Sequence, residues 1–211
     1  YSGTALTPSF TVSLNGVKLV QDLDYSVTYL SNKNVGTAKV VICGKGVYTN
    51  SLTKTFTIRP ETMASAVITG CKAKYSYTGK QVKPLIQVVW NGKILRNNTD
   101  YTLLYKNNKK RGSAGIVVTG KGNYSGTLTA SFTIVRASVK KASVTGLKAV
   151  YARTGKAVKP KVTVKLGGKK LKKKRDYILS YRKNKKKGTA LLYVKGVGNY
   201  SGTKKMKFKI R

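Results

Sequence analysis

The chain has 211 residues, 40% of them hydrophobic, and carries 43 Lys and Arg against 5 Asp and Glu with no histidine, a formal net charge of +38. With no histidine and five acids, the usual general acids and bases are nearly missing, so no enzyme and no catalytic residue is expected. Clustered carboxylates and Cys or His sets are lacking too, so neither a metal nor a cofactor is expected. No run is long enough for a membrane span, and there is no secretory or wall-sorting signature, so the sequence reads as a segment of a longer multidomain chain.

One design occurs three times with a period of 76 residues. Gly44, Gly46, Tyr48, Phe56 and Ile58 return as Gly120, Gly122, Tyr124, Phe132 and Ile134, and again as Gly196, Gly198, Tyr200, Phe208 and Ile210. Gly3, Pro8, Asp24, Tyr25, Tyr29 and Gly36 return at the same steps. A fixed period of this kind marks an array of one supersecondary unit. The boundaries fall at residues 1–60, 61–136 and 137–211. The first repeat begins at Tyr1, the counterpart of Tyr77, and lacks the segment around Ala66 to Tyr75. That absence predicts an exposed sheet edge, read either as the cut end of a longer chain or as a place where another segment pairs.

Within each repeat, strand signals run throughout and helix signals are absent. In the second, Ile68, Cys71, Ala73 and Tyr75 suggest one or two strands leading into a Thr78-Gly79-Lys80 turn and Pro84, where proline fits an edge or strand start. Ile86, Val88 and Trp90 then alternate inward up to Asn91-Gly92, a hairpin dipeptide matched by Asn15-Gly16 and Gly167-Gly168. Tyr101, Leu103 and Tyr105 share one side of the next strand. A polar loop with Gly112 leads to Ala114, Ile116 and Val118, and the last strand carries Phe132 and Ile134. Six or seven short strands per repeat, punctuated by turns, predict small β-sandwiches.

The series Tyr-x-Thr-Gly-Lys…Pro, Asn-Gly-Lys, Asp-Tyr…Tyr, Gly-Thr-Ala and Gly-Lys-Gly-Asn-Tyr-Ser-Gly-Thr…Phe-Thr-Ile resembles the bacterial immunoglobulin-like repeats found in tandem in large surface proteins of Gram-positive anaerobes. The resemblance implies an all-β tandem array of small immunoglobulin-like β-sandwich modules, placed outside the cell at its surface or wall. It implies little about function, since such modules serve as stalks, spacers and adhesion domains alike. Some related modules carry a Lys–Asn amide cross-link. None is expected here, because the first repeat has no lysine to match Lys80 and Lys156 and has Val47 where Asn123 and Asn199 stand.

Other candidate chemistry is weak. Asp24, Asp100 and Asp176 share one repeated position, where a carboxylate bonds local backbone amides at a turn. Gly115 to Lys121 has the spacing of a phosphate-cradling loop, but Gly122 follows where Ser or Thr is needed and no helix comes after. Gly44, Gly46 and their counterparts are read as turn positions needing free φ. Cys43 faces outward and Cys71 inward, so they are not expected to pair.

Charge is the strongest lead. Residues 1–60 hold 6 basic and 2 acidic side chains, 61–136 hold 12 and 2, and 137–211 hold 25 and 1, so net charge climbs +4, +10, +24 along one design. Such a gradient points to a polyanionic partner. Alternation places Met206, Phe208 and Ile210 in the core and Lys205, Lys207 and Lys209 on an outer face, about 6.8 Å apart. Lys172, Lys173 and Lys174 form a second basic group, and Lys185, Lys186 and Lys187 a third. Lys165, Lys195 and Lys205 replace Ser13, Cys43 and Thr53, so the scaffold itself does not require lysine there.

The expected partner is an anionic polymer: teichoic acid, a sulfated glycan or a nucleic-acid backbone. Sequence-specific nucleic-acid recognition is not expected, because 13 of 14 tyrosines recur as framework and no helix or ribbon is evident for a groove. Tyr193, beside Lys195, alone breaks register. A plain spacer with lysines for solubility is the alternative without any ligand.

Overall fold

The computed structural model describes residues 1–211 and is all-β. Its only helical turns are the three-residue 3-10 segments Met63–Ser65 and Val139–Lys141, and no helix is long and apolar enough to cross a membrane. The long central strands Gly36–Gly44, Gly112–Gly120 and Gly188–Gly196 recur at the 76-residue step. Backbone contacts divide the chain into two compact units. One comprises Tyr1–Gly70, Ile86–Leu104 and Ile116–Ala130; the other comprises Cys71–Leu85, Tyr105–Gly115 and Ser131–Arg211.

The second unit contains the whole third repeat, folded as a sandwich. Its larger sheet runs Val150–Tyr151, Thr203–Ile210, Gly188–Gly196, Tyr177–Arg182; its smaller one runs Ser143–Thr145, Thr163–Leu166, Lys169–Lys170. Period-two alternation sends one side of every strand inward. Val164, Leu171, Tyr177, Ala190, Leu192, Val194, Phe208 and Ile210 meet there as one buried cluster. Val139, fully buried, plugs that core from the 3-10 turn, whose first free N–H, on Lys140, is accepted by the Ser138 side chain at 3.4 Å. Most pairing is antiparallel, but Val150–Tyr151 lies parallel to the end of the final strand, opposite Lys209 and Ile210.

In the first unit, Tyr25–Leu30, Gly36–Gly44 and Ser51–Ile58 form a three-stranded antiparallel sheet over Leu19, Tyr25, Val40 and Ile42. Asn15 and Gly16 take positive φ, 48° and 82°, in the predicted hairpin turn between Ser13–Leu14 and Val17–Lys18. Val67–Thr69 pairs with Gln87–Trp90, and Ile86 and Trp90 are each 8% exposed. Their first-repeat counterparts Phe10 and Leu14 are 38% and 51% exposed, and Ser13–Leu14 pairs with Val17–Lys18 alone.

Repeated polar residues tie the loops. Asp24, Asp100 and Asp176 accept the backbone N–H four residues earlier, on Val20, Arg96 and Lys172, at 2.7–2.8 Å. The hydroxyls of Tyr29, Tyr105 and Tyr181 donate to the carbonyls of Pro8, Pro84 and Pro160. The glycine reading needs correction at one set of positions. Gly46, Gly122 and Gly198 do have φ near +60°, but Gly44, Gly120 and Gly196 do not need a positive φ. A Cβ at Gly196 would lie 2.6 Å from the Ser201 nitrogen, so close backbone approach excludes a side chain there. Cys43 is exposed, Cys71 half-buried, and both are free thiols.

Candidate polyanion-binding surface

The final strand, Thr203–Ile210, buries Phe208 and Ile210 and leaves Lys205, Lys207 and Lys209 exposed. Antiparallel pairing sets Lys205 opposite Tyr193, Lys207 opposite Leu191 and Lys209 opposite Thr189 on the central strand. One strand further, Ser180 lies opposite Tyr193, Arg182 opposite Leu191 and Ile178 opposite Lys195. The outer face therefore gathers Lys195, Lys205, Lys207, Lys209 and Arg182 around Tyr193, whose ring centroid lies 5.7 Å from the Arg182 guanidinium carbon.

The ladder positions in the other repeats are neutral, and that face carries one lysine in each, Lys39 in the first and Lys106 in the second. Thr53, Thr55 and Thr57, then Thr129, Ser131 and Thr133, occupy the positions of Lys205, Lys207 and Lys209. No acid offsets the third repeat's cations, since its single carboxylate, Asp176, is 4% exposed and already committed. Arg175 donates to both of its oxygens at 2.9 Å, and this bond, aided by the Lys172 N–H and opposed by burial, holds the carboxyl below its ordinary value.

The remaining predicted residues do not join the ladder as one site. Lys185, Lys186 and Lys187 sit on the hairpin before Gly188, which pairs with Ile210, so they adjoin the Lys209 end. Lys172, Lys173 and Lys174 precede Tyr177, which pairs with Gly196, at the other end of a six-residue strand about 20 Å long. Lys172 and Lys173 rim a groove of about 830 Å3 together with Lys159, Lys161 and Lys170. Leu171, Tyr177, Leu179 and Tyr181 form its apolar floor. Because Leu179 and Tyr181 alternate with Ser180 and Arg182, the groove opens on the opposite side of this edge strand from the ladder. Lys174 lines neither surface; it caps the turn with φ 71°.

Sequence reasoning missed the groove. Lys159 and Lys170 meet only because Thr163–Leu166 folds back on Lys169–Lys170 through the Gly167-Gly168 turn. The available signal was comparison between repeats: these five positions hold a single cation, Lys18, in the first repeat and two, Lys83 and Arg96, in the second.

No protein-family model and no curated protein matches this chain. Among solved structures, a protocadherin gammaB7 EC3-6 cis-dimer structure is similar over 98% of this chain and 70% of that chain, at 12% identity and a TM-score of 0.23. The fold assignment accordingly stands on the strands and their pairing.

Proposed function

We propose that the chain is a non-catalytic stalk segment of a Gram-positive surface protein, built of modules 1–60, 61–136 and 137–211, and that its basic third module associates electrostatically with anionic cell-wall polymer. The observation that carries this reading is the ladder. One sheet position set holds Thr, Thr, Thr, then Thr, Ser, Thr, then Lys205, Lys207 and Lys209 on the same scaffold. Cations about 6.8 Å apart along a strand repel one another, and folding does not call for them. A repeating phosphate polymer offsets that repulsion, and lysine, a compact point charge, suits a ligand that needs no planar bidentate recognition. Teichoic acid fits this description.

The test is binding of the chain to purified teichoic acid, heparin and duplex DNA across a salt series. Similar affinities that all collapse with salt, with log K falling linearly against log salt, are expected. The absence of saturable binding at physiological salt would leave only a spacer.

The groove favours a second reading, an adhesin module for a sulfated glycan. Its apolar floor of Leu171, Tyr177, Leu179 and Tyr181 offers a bed for sugar C–H faces beneath a lysine rim. On that reading heparin binding alone survives high salt, whereas teichoic acid and DNA dissociate.

A further inference from the structure

Successive repeats touch through the same positions in both places where they meet. In the first unit Tyr1 meets Tyr124 edge to face at 5.5 Å, and Asn123 accepts the Val35 N–H at 2.8 Å while donating to Asn34 Oδ1 at 3.0 Å. In the second unit Tyr77 meets Tyr200 at 5.8 Å, and Arg111 donates to the Gly198 carbonyl at 3.1 Å. A lysine attends each tyrosine pair: Lys93 Nζ lies 5.9 Å from the Tyr124 centroid, and Lys169 Nζ lies 5.8 Å from that of Tyr77. The first and second repeats thus each present a tyrosine and a hairpin loop, and the successor receives them with a Gly-x-Gly-Asn-Tyr turn.

At the presenting positions the third repeat has different chemistry on the same backbone. Arg153 stands for Tyr1 and Tyr77, while Lys186 and Lys187 stand for Asn34 and Val35 of the first repeat and continue the Lys110-Arg111 pair of the second. The Arg153 N–H donates to the Arg211 carbonyl at 2.7 Å, as Tyr1 does to Arg59 at 2.7 Å and Tyr77 to Val135 at 2.8 Å. Tyr151, Ile210 and Gly188 are neighbours across the sheet, which places the two ends of this pole about 10 Å apart. Its loop curls around a hollow of about 510 Å3 bordered by Lys183, Lys185, Lys186 and Lys187. Asp176 lies at the opposite end, beside the strand row that pairs Tyr177 with Gly196. A receiving turn attended by lysine would meet Arg153 with like charge.

We infer that this pole docks end-on onto phosphate or sulfate groups of an anionic polymer, in place of the tyrosine contact that the other repeats make. The inference rests on the polyanion reading above and adds the pole, rather than the ladder alone, as the principal contact.

The test compares the full chain with two variants that each remove three cations. Arg153→Tyr with Lys186→Asn and Lys187→Val restores the first repeat's residues at the pole; Lys205→Thr with Lys207→Thr and Lys209→Thr restores them on the face. The probe is fluorescent oligothymidylate, titrated between about 50 and 200 mM salt. The pole variant is expected to lose affinity tenfold or more, to lose more than the face variant, and to shed about 2 from the slope of log K against log salt, since each lost cation contributes about 0.7. Equal losses in the two variants, or a loss confined to the face variant, would overturn the pole while leaving the electrostatic reading intact. No binding by the unmodified chain overturns both. Thermal melts accompany each titration, and if the triple pole variant melts early, Arg153→Gln with Lys186→Gln is read against Lys205→Gln with Lys207→Gln by the same ordering of losses, with an expected slope change of about 1.4 for two cations.

Discussion

The Asp176 carboxylate accepts both Arg175 nitrogens at 2.9 Å and also the Lys172 N–H at 2.8 Å, which closes the turn that leads into the edge strand. Asp176→Ala leaves that N–H without its acceptor and is expected to cost about 2–3 kcal/mol in denaturant unfolding. Because the folded carboxyl is held below its ordinary value of 3.8, the stability it contributes is fully present above that pH and is lost as pH falls through the folded value. Unfolding followed from pH 7 to pH 2 should steepen below about 4, and Asp176→Asn should flatten that limb.

Tyr77 packs on the third repeat's core as well as on Tyr200. Tyr77→Phe keeps the ring and is expected to be nearly silent. Tyr77→Ala loses an aromatic pair worth about 0.5–1.5 kcal/mol beyond its burial. Tyr77→Arg should cost more than Tyr77→Ala, because it brings a cation against Lys169. Thermal melts of the three variants order them; an arginine variant as stable as the tyrosine would contradict the account of the joint.

Lys174 occupies a left-handed position, φ 71°, where Asp22 and Asn98 stand at 69° and 68°. Lysine pays about 1–2 kcal/mol for this conformation, which Asn tolerates through its short polar side chain. Lys174→Asn is therefore expected to raise stability by up to about 1 kcal/mol while leaving polyanion binding nearly unchanged, since Lys174 lines neither the ladder nor the groove.

Phe208 and Lys207 are adjacent and should behave oppositely. Phe208 is 2% exposed and meets Tyr151 edge to face at 5.3 Å. Phe208→Ala should cost about 3–5 kcal/mol. Lys207→Thr, the residue type of the first repeat, should stay within about 0.5 kcal/mol and weaken heparin binding. Paired measurements of unfolding and heparin affinity on the two variants check the split.

Much of this was legible from periodicity. Alternation at Ala190, Leu192, Val194, Phe208 and Ile210 gives the buried side directly, and the complementary set gives Lys195, Lys205 and Lys207 on the outer face. What stayed hidden depends on pairing between distant segments. Tyr77 repeats as framework tyrosine, yet its ring leaves its own repeat to meet Tyr200, and no local pattern records that. Lys172 and Lys185 look alike in the sequence, but one rims a groove while the other sits at the opposite end of the sheet. The glycine at 196 illustrates a different limit: a turn signal and a steric exclusion both read as Gly.

The parallel pairing of Val150–Tyr151 with the end of the final strand has a mechanical consequence. Residues 149–153 and the last residues of this repeat are bonded side by side, with Lys209 donating to Ala149, Arg211 to Tyr151 and Arg153 to Arg211. Tension that reaches these two strands along the chain slides them past each other and loads the three bonds together, in shear, instead of opening them one at a time. Lys74–Ser76 is laid in the same way against Thr133–Val135. A chain pulled between an anchored polymer and a distant load would thus meet shear resistance where the last strand of each of these two repeats lies along its early strand.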